Sequence, residues 1–262
     1  MRLQAPAHWS RIDVISDLHL QASDALTFAA WQQHLRYTDA DAVFILGDLF
    51  EVWVGDDVLA QGDSFEAQCA QVLRQASAHL AIYLMHGNRD FLLAQQFCDA
   101  AHSNLLDDPS LLAFGDQRFL LTHGDALCLA DTEYMAFRAS VRKATWQQEF
   151  LAKPLTERQD IARSLRAHSE AHKRAQSTYA DADGPTALAW LEAADATHLL
   201  HGHTHQPATH VLADGHLRMV LSDWDLQAQP ARAEVLRLRL ADDRAEVSLQ
   251  RLPPCSATSP IP

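Results

Sequence analysis

Ala42-Val43-Phe44-Ile45-Leu46-Gly47-Asp48 is the stretch on which the fold turns. Five apolar residues in a row are too few for a helix. With no polar residue among them to face water, they read as a strand covered on both faces. The run stops at a glycine and an aspartate, so the strand delivers a carboxylate at its carboxyl end. Ile12-Asp13-Val14-Ile15 ahead of Asp17-Leu18-His19 repeats the arrangement, as does Ala81-Ile82-Tyr83-Leu84-Met85 ahead of Gly87-Asn88-Arg89-Asp90. Between the second and third runs, Phe65, Cys69, Val72, Leu73, Ala76 and Leu80 recur at the spacing of one apolar helix face. This rhythm of strand, helix and strand predicts an α/β fold with right-handed crossovers.

Working outward, Leu111–Phe114 and Arg118–Thr122 flank Gly115-Asp116, the signature of a hairpin. Residues 131–178 form a helix-rich stretch with Pro154 as its one proline and no glycine. Strands resume at His198–Leu200 and Arg218–Leu221. A closing hairpin, Val235–Leu240 and Ala245–Leu249, turns at Asp242-Asp243. The chain thus reads as a single domain over 1–262, with a helical cap inserted at 128–182 and a loose tail at 253–262.

Composition narrows the function. The 262 residues carry 21 Lys plus Arg against 34 Asp plus Glu, a net charge of −13, with 15 histidines. Such a chain does not bind nucleic acid by bulk charge, whereas imidazole and carboxylate together suit transition metals. The charge is uneven: residues 138–174 hold nine basic and four acidic side chains. No apolar run reaches the roughly 18 to 20 residues of a membrane span, and no apolar segment of a secretion signal opens the chain. Four scattered cysteines without a CxxC pair fit reduced thiols in the cytoplasm.

Polar residues cluster at five strand ends: Asp17-Leu18-His19, Gly47-Asp48, Gly87-Asn88-Arg89-Asp90, Thr122-His123-Gly124-Asp125 and His201-Gly202-His203-Thr204-His205. Ligands of α/β folds collect at the carboxyl ends of strands, so these loops should converge. Two Asp, one Asn and four His are too many donors for one tetrahedral zinc and about right for two adjacent metals, with Asp48 as the bridge. The ordered pattern D-x-H, GD, GN-x-D, H and GH-x-H resembles the calcineurin-like metallophosphoesterases. In finer detail, Ser16-Asp17-Leu18-His19-Leu20, the GDLFEVWVGDD run at 47–57, the third block Gly87-Asn88-Arg89-Asp90 and the HGHTH run at 201–205 resemble one branch of that family. That branch is the UDP-2,3-diacylglucosamine pyrophosphatases of lipid A biosynthesis.

The resemblance implies a β-sandwich flanked by helices with a helical cap. It implies two manganese ions, one held by Asp17, His19, Asp48 and His205, the other by Asp48, Asn88, His123 and His203. Water activated there would attack the α-phosphorus of UDP-2,3-diacylglucosamine, giving UMP and 2,3-diacylglucosamine 1-phosphate. Arg89 and Asp48 are the expected catalytic residues. Asn88, Arg89, Asp131, Ser169 and His203 are the expected substrate contacts, with Lys173 added because relatives place a lysine where this chain has Gln176.

A cap with apolar mass (Tyr134, Phe137, Trp146, Phe150, Leu165) and cationic side chains (Arg138, Arg142, Lys143, Arg163, Arg166, Lys173, Arg174) suits a diphosphate lipid. It also suits peripheral docking on the anionic cytoplasmic face of an inner membrane. No obligate protein partner is implied. The alternative is a two-metal enzyme acting on a soluble nucleotide or dinucleotide, for which a greasy insertion has no use; a non-enzymatic scaffold would have lost some donors. Asp125 reads as orienting His123, His201 as structural, Cys128 as no nucleophile, and Glu51 as shaping its loop.

Overall fold

The computed structural model describes residues 1–175, 181–241 and 246–256, and for 167–175 the helical backbone alone. The described strands form two six-stranded sheets. One runs in the order β12 (Val247–Leu252), β11 (Val235–Leu240), β2 (Arg11–Ile15), β3 (Ala42–Leu46), β4 (Ala81–Met85) and β5 (Asn104–Leu106). The strands from β2 to β5 are parallel, and β11 lies antiparallel against β2. The other sheet runs β1 (Arg2–Gln4), β6 (Ser110–Phe114), β7 (Gln117–Leu121), β8 (His198–His201), β10 (Leu217–Val220) and β9 (Ala208–Val211).

Alternation along β3 shows how the layers assemble. Ala42, Phe44 and Leu46 point inward and meet Leu112, Phe114, Phe119, Leu121 and Leu200 of the facing sheet. Val43 and Ile45 point outward into a second core with Trp31, Leu35, Cys69 and Leu73. Those residues lie on α1 (Ala25–Tyr37) and α2 (Phe65–Ala76), which are started by the side chains of Asp24 and Ser64 accepting backbone N–H groups of the first turn. The predicted apolar face of α2 is the buried one. Helix α3 (Gln95–Ala101) adds Phe97 to the same layer. On the far side, α7 (Gly184–Ala194) covers Leu120 and Leu199 of the other sheet. Helices thus flank a β-sandwich, an α/β architecture.

The predicted hairpin at Gly115-Asp116 joins β6 to β7 with Phe114 opposite Gln117. Strands β1, β5 and β9, of three or four residues, carry too little pattern to be read from sequence. The turn expected at Asp242-Asp243 lies outside the described residues. Between β7 and α7 the chain forms α4 (Thr132–Val141), α5 (Ala144–Leu151) and α6 (Leu155–Ala175), the stretch read as a cap.

One buried charge stands out against this apolar frame. Asp13, in the middle of β2, is fully buried. It accepts hydrogen bonds from Arg237 Nε (2.7 Å) and Nη2 (2.9 Å) on β11 and from Thr38 Oγ1 (2.6 Å), with His34 Nε2 at 3.3 Å. Burial alone would raise its pKa, but His34 and Arg237 outweigh burial and hold the carboxyl well below its ordinary value. This contribution to stability is present above the ordinary Asp range and is lost as pH falls through the depressed pKa. Arg237→Ala, which strands the carboxylate, is expected to cost about 3–5 kcal/mol at neutral pH. In urea unfolding the loss should shrink as pH falls through the range where Asp13 of the variant, no longer held down by Arg237, takes up a proton. A loss that did not change with pH would mean that Asp13 is not ionised.

Candidate metal centre

The carboxyl ends of β2, β3 and β4 in one sheet, and of β7 and β8 in the other, meet at one edge of the sandwich. The five polar loops follow those ends, so all seven expected donors come together, from both sheets. Asp17, Asp48 and His123 are buried. Asp17 Oδ1 lies 3.3 Å from His205 Nε2, and His205 Nε2 lies 3.3 Å from His19 Nε2. Asp48 Oδ2 stands between two histidines, 3.9 Å from His19 Nε2 and 3.8 Å from His123 Nε2. On the far side, Asn88 Oδ1 is 3.1 Å from His123 Nε2 and 2.8 Å from His203 Nδ1. Two groups, Asp17 with His19 and His205, and Asp17 with Asp48 and His123, have donor atoms close enough to share an ion.

The backbone is bent to achieve this. Asp17, His19, Asp48, His203 and His205 all have positive φ, between 48° and 66°. Each costs of order 1–3 kcal/mol for a residue with a Cβ, and such strain gathers at functional sites. Asp90 holds the loops in place by accepting N–H groups of Gly87 (2.7 Å), Leu49 (2.7 Å) and Asp48 (3.3 Å). Asp17 in turn accepts the N–H of His203 (2.9 Å) and the hydroxyl of Ser16 (2.6 Å). Two glycines let the loops pass: a Cβ on Gly87 would lie 2.0 Å from Asp48 Oδ1, and one on Gly202 would lie 2.0 Å from Asp17 Oδ2.

Electrostatics fit a cation. Burial raises the Asp48 pKa; His123 and His19 pull against this, Asp90 and Asp17 add to it, and the net shift is upward. Burial opposes a charge on His123, yet Asp48, Asp17 and Asp125 lift its pKa to about 9. Carboxylates this crowded demand positive charge from a proton or a metal. Carboxylate oxygens, an amide oxygen and imidazole nitrogens are donors suited to borderline divalent ions. The residues present therefore fit divalent ions of this kind.

Around the donors the outcome is mixed. Arg89 donates its backbone N–H to Asp48 Oδ1 (2.7 Å), and its guanidinium Nη1 lies 3.9 Å from Glu51 Oε1. Asp131 caps α4, accepting the N–H of Tyr134 (3.0 Å). The side chains of Ser169 and Lys173 lie outside the described residues, as does Gln176. His201 is buried, with its Nδ1 2.9 Å from the Gly202 carbonyl. Burial, then Asp125, pushes the Cys128 thiol up to about 12, which leaves it unreactive.

Two expectations are corrected. Asp125 does not orient His123, whose Nδ1 lies against the Leu46 carbonyl at 2.9 Å. Asp125 Oδ2 instead accepts Tyr134 Oη (2.5 Å) and Arg138 Nε (2.8 Å), fastening α4 to the loop behind His123. Nor are Arg138, Arg142 and Arg166 free surface cations. Arg142 Nη2 donates to the Gly87 carbonyl (2.8 Å) and Arg166 Nε meets Glu51 Oε1 (3.0 Å).

Sequence reasoning also missed supporting residues. Glu51 Oε2 lies 3.0 Å from His19 Nδ1, and Asp223, gripped by Arg232, lies 3.7 Å from His205 Nδ1. The signal for Glu51 was its place three residues after Asp48; Asp223 carried none.

If the glycines serve the donors as described, Gly202→Ala should push Asp17 aside. Affinity of metal-stripped protein for Mn²⁺ should then fall roughly tenfold or more, the range typical of disturbed ligand support. Titration with Mn²⁺ reads this directly, and an unchanged affinity would refute the role of that close approach.

Comparison with known proteins agrees with this geometry. Residues 10–207 match the calcineurin-like phosphoesterase family. A UDP-2,3-diacylglucosamine hydrolase of Chromohalobacter salexigens is 42% identical over 240 residues, covering 88% of this chain and 93% of its own. One of Ralstonia nicotianae is 43% identical over 238 residues, 86% of this chain and 88% of its own. Another, of Chromobacterium violaceum, is 45% identical over 224 residues, 81% of this chain and 90% of its own. The chain belongs to the calcineurin-like phosphoesterases, within the group of enzymes that carry the name UDP-2,3-diacylglucosamine hydrolase.

Proposed function

We propose that this enzyme hydrolyses UDP-2,3-diacylglucosamine at the α-phosphorus, releasing UMP and 2,3-diacylglucosamine 1-phosphate, with two Mn²⁺ ions per chain. The observation that carries the reading is the position of Asp48, with one carboxylate oxygen at nearly equal distance from His19 and His123. Asp17, His19, Asp48 and His205 would hold one ion, and Asp48, Asn88, His123 and His203 the other. Two such ions supply Lewis acidity and a water acidified enough to attack phosphorus at neutral pH.

The protein's own part is positioning and charge. Asp48 would be shared by the two proposed donor sets, and its other oxygen, held by the Arg89 N–H, fixes how the carboxylate faces them. The Arg89 guanidinium is a planar fork suited to charge that develops on the phosphoryl oxygens. As water adds to the α-phosphorus, the bond to the bridging oxygen breaks. The sugar phosphate then leaves as a phosphate monoester, which needs no proton from a general acid. Asp131, Ser169 and Lys173 are assigned to the substrate on resemblance alone.

The lipid half of the reading is supported by the relatives' names and by α4–α6. Exposed Phe137, Leu151 and Leu165 give these helices an apolar surface, while Tyr134 brings α4 within 5.7 Å of the His203 ring, centre to centre. A soluble nucleotide has no use for such a surface. Exposed Lys143, at the start of α5, and exposed Arg163, on α6, belong to the same segment as that apolar surface, and on them we base peripheral contact with an anionic bilayer. Among the described residues no helix is long and apolar enough to cross a membrane.

Metal-stripped protein should release no UMP from the diacylated substrate, and Mn²⁺ should restore release while UDP-GlcNAc stays intact. Equal turnover of UDP-GlcNAc would overturn the lipid assignment and leave the two-metal site standing. Arg89→Ala should lower kcat about 10²–10³-fold with unchanged Mn²⁺ content, the scale for losing one donor to transition-state charge. Sedimentation with anionic vesicles should carry the protein down at low salt and release it at high salt; protein that stays in the supernatant at low salt refutes the membrane contact.

A further inference from the structure

Glu51 sits in the loop after β3 with its side chain buried, and its place relative to His19 is rigid. Short β-like pairing joins the two loops: His19 N–H donates to the Asp48 carbonyl (3.0 Å), Leu20 N–H to that of Leu49 (2.9 Å) and Glu51 N–H to that of Leu20 (3.2 Å). From that fixed backbone the carboxylate reaches three segments. Oε2 stands 3.0 Å from His19 Nδ1. Oε1 meets Arg166 Nε of α6 at 3.0 Å and stands 3.9 Å from Arg89 Nη1.

We propose that Glu51 is a positioning residue that sets the His19 ring from behind and, through Arg166, locks α6 to the donor cluster. A carboxylate beside Nδ1 keeps the proton on that nitrogen and leaves Nε2, the atom facing His205 and Asp48, as the donor for a cation. The second oxygen spends the same charge on the helix. His205 offers an internal contrast, since Asp223 behind it is gripped by Arg232 rather than by a residue of α4–α6. Helix α6 has its own independent anchor one loop further on, where Arg158 binds Asp57 and the Val54 carbonyl. Loss of Glu51 should therefore loosen the turns around Arg166 without releasing the whole helix. The inference rests on the two-cation reading above.

The test uses the full chain, stripped of metal, as wild type, Glu51→Ala, Glu51→Gln, Arg166→Ala and the double variant Glu51→Ala/Arg166→Ala. Mn²⁺ affinity is read from the resonance of free Mn²⁺ during titration, and amide exchange from peptides covering residues 159–166. Glu51→Ala should weaken Mn²⁺ binding roughly 10- to 100-fold, and the isosteric Glu51→Gln, which still offers an oxygen to Nδ1–H, should recover part of that loss. Arg166→Ala and Glu51→Ala should each speed exchange around Arg166, with the double variant no faster than Arg166→Ala alone. Wild-type Mn²⁺ affinity in Glu51→Ala, or additive exchange in the double variant, would overturn the proposal. Wild-type protein that takes up no Mn²⁺ would instead overturn the two-cation reading.

Discussion

Two buried carboxylates, Asp17 and Asp48, at the ends of neighbouring parallel strands are the constraint around which the molecule is arranged. Alone they would repel each other in a medium that screens poorly. Imidazoles surround them, peptide N–H groups of His203 and Arg89 point at them, and two glycines keep other side chains away. Five donor residues accept left-handed backbone to keep these positions. The β-sandwich makes that possible, because strained loops persist only when fixed at both ends by structure that does not yield. Fully buried Phe44 and Phe119, packed between the sheets, are part of that fixture.

The second organising feature is how α4–α6 are joined to this frame. Polar contacts tie them to the donor loops: Tyr134 and Arg138 to Asp125, Arg142 to the carbonyl of Gly87, Arg166 to Glu51. Apolar contact supplements them where Trp146 stacks on Phe150 and both join the core beside α2. A segment held by charge-assisted bonds to the loops that carry the chemistry cannot shift without those loops feeling it.

The donors were legible in the sequence because each sits directly after an apolar strand and because few residue types can serve there. The helix at Phe65–Ala76 was legible for a similar reason, one face of regular spacing. What could not be read was long-range. Asp125 follows His123 by two residues and so suggested a partner, but Gly124, at φ 107°, turns the chain and sends the carboxylate to Tyr134 and Arg138. Arg138, Arg142 and Arg166 looked like surface charge because their partners lie on other segments. Glu51's place three residues after Asp48 marks it as near the donors but not as the partner of His19, and Asp223 has no local mark at all; only the folded chain brings them behind His19 and His205. The division of strands into two sheets was likewise invisible in the apolar runs, since nothing in β3 or β8 marks the layer to which it belongs.

That the donors come from both sheets has a consequence for the physical state of the protein. An ion held between Asp48 of one layer and His123 of the other, as proposed, would act as a cross-link that does not exist in the unfolded chain. On the two-cation reading, folding and loading would be thermodynamically linked, and stability would follow the free metal concentration, by about 2.7 kcal/mol when that concentration is a hundred times the dissociation constant. A cell short of the metal would hold less of this protein in folded form as well as less of it in working order.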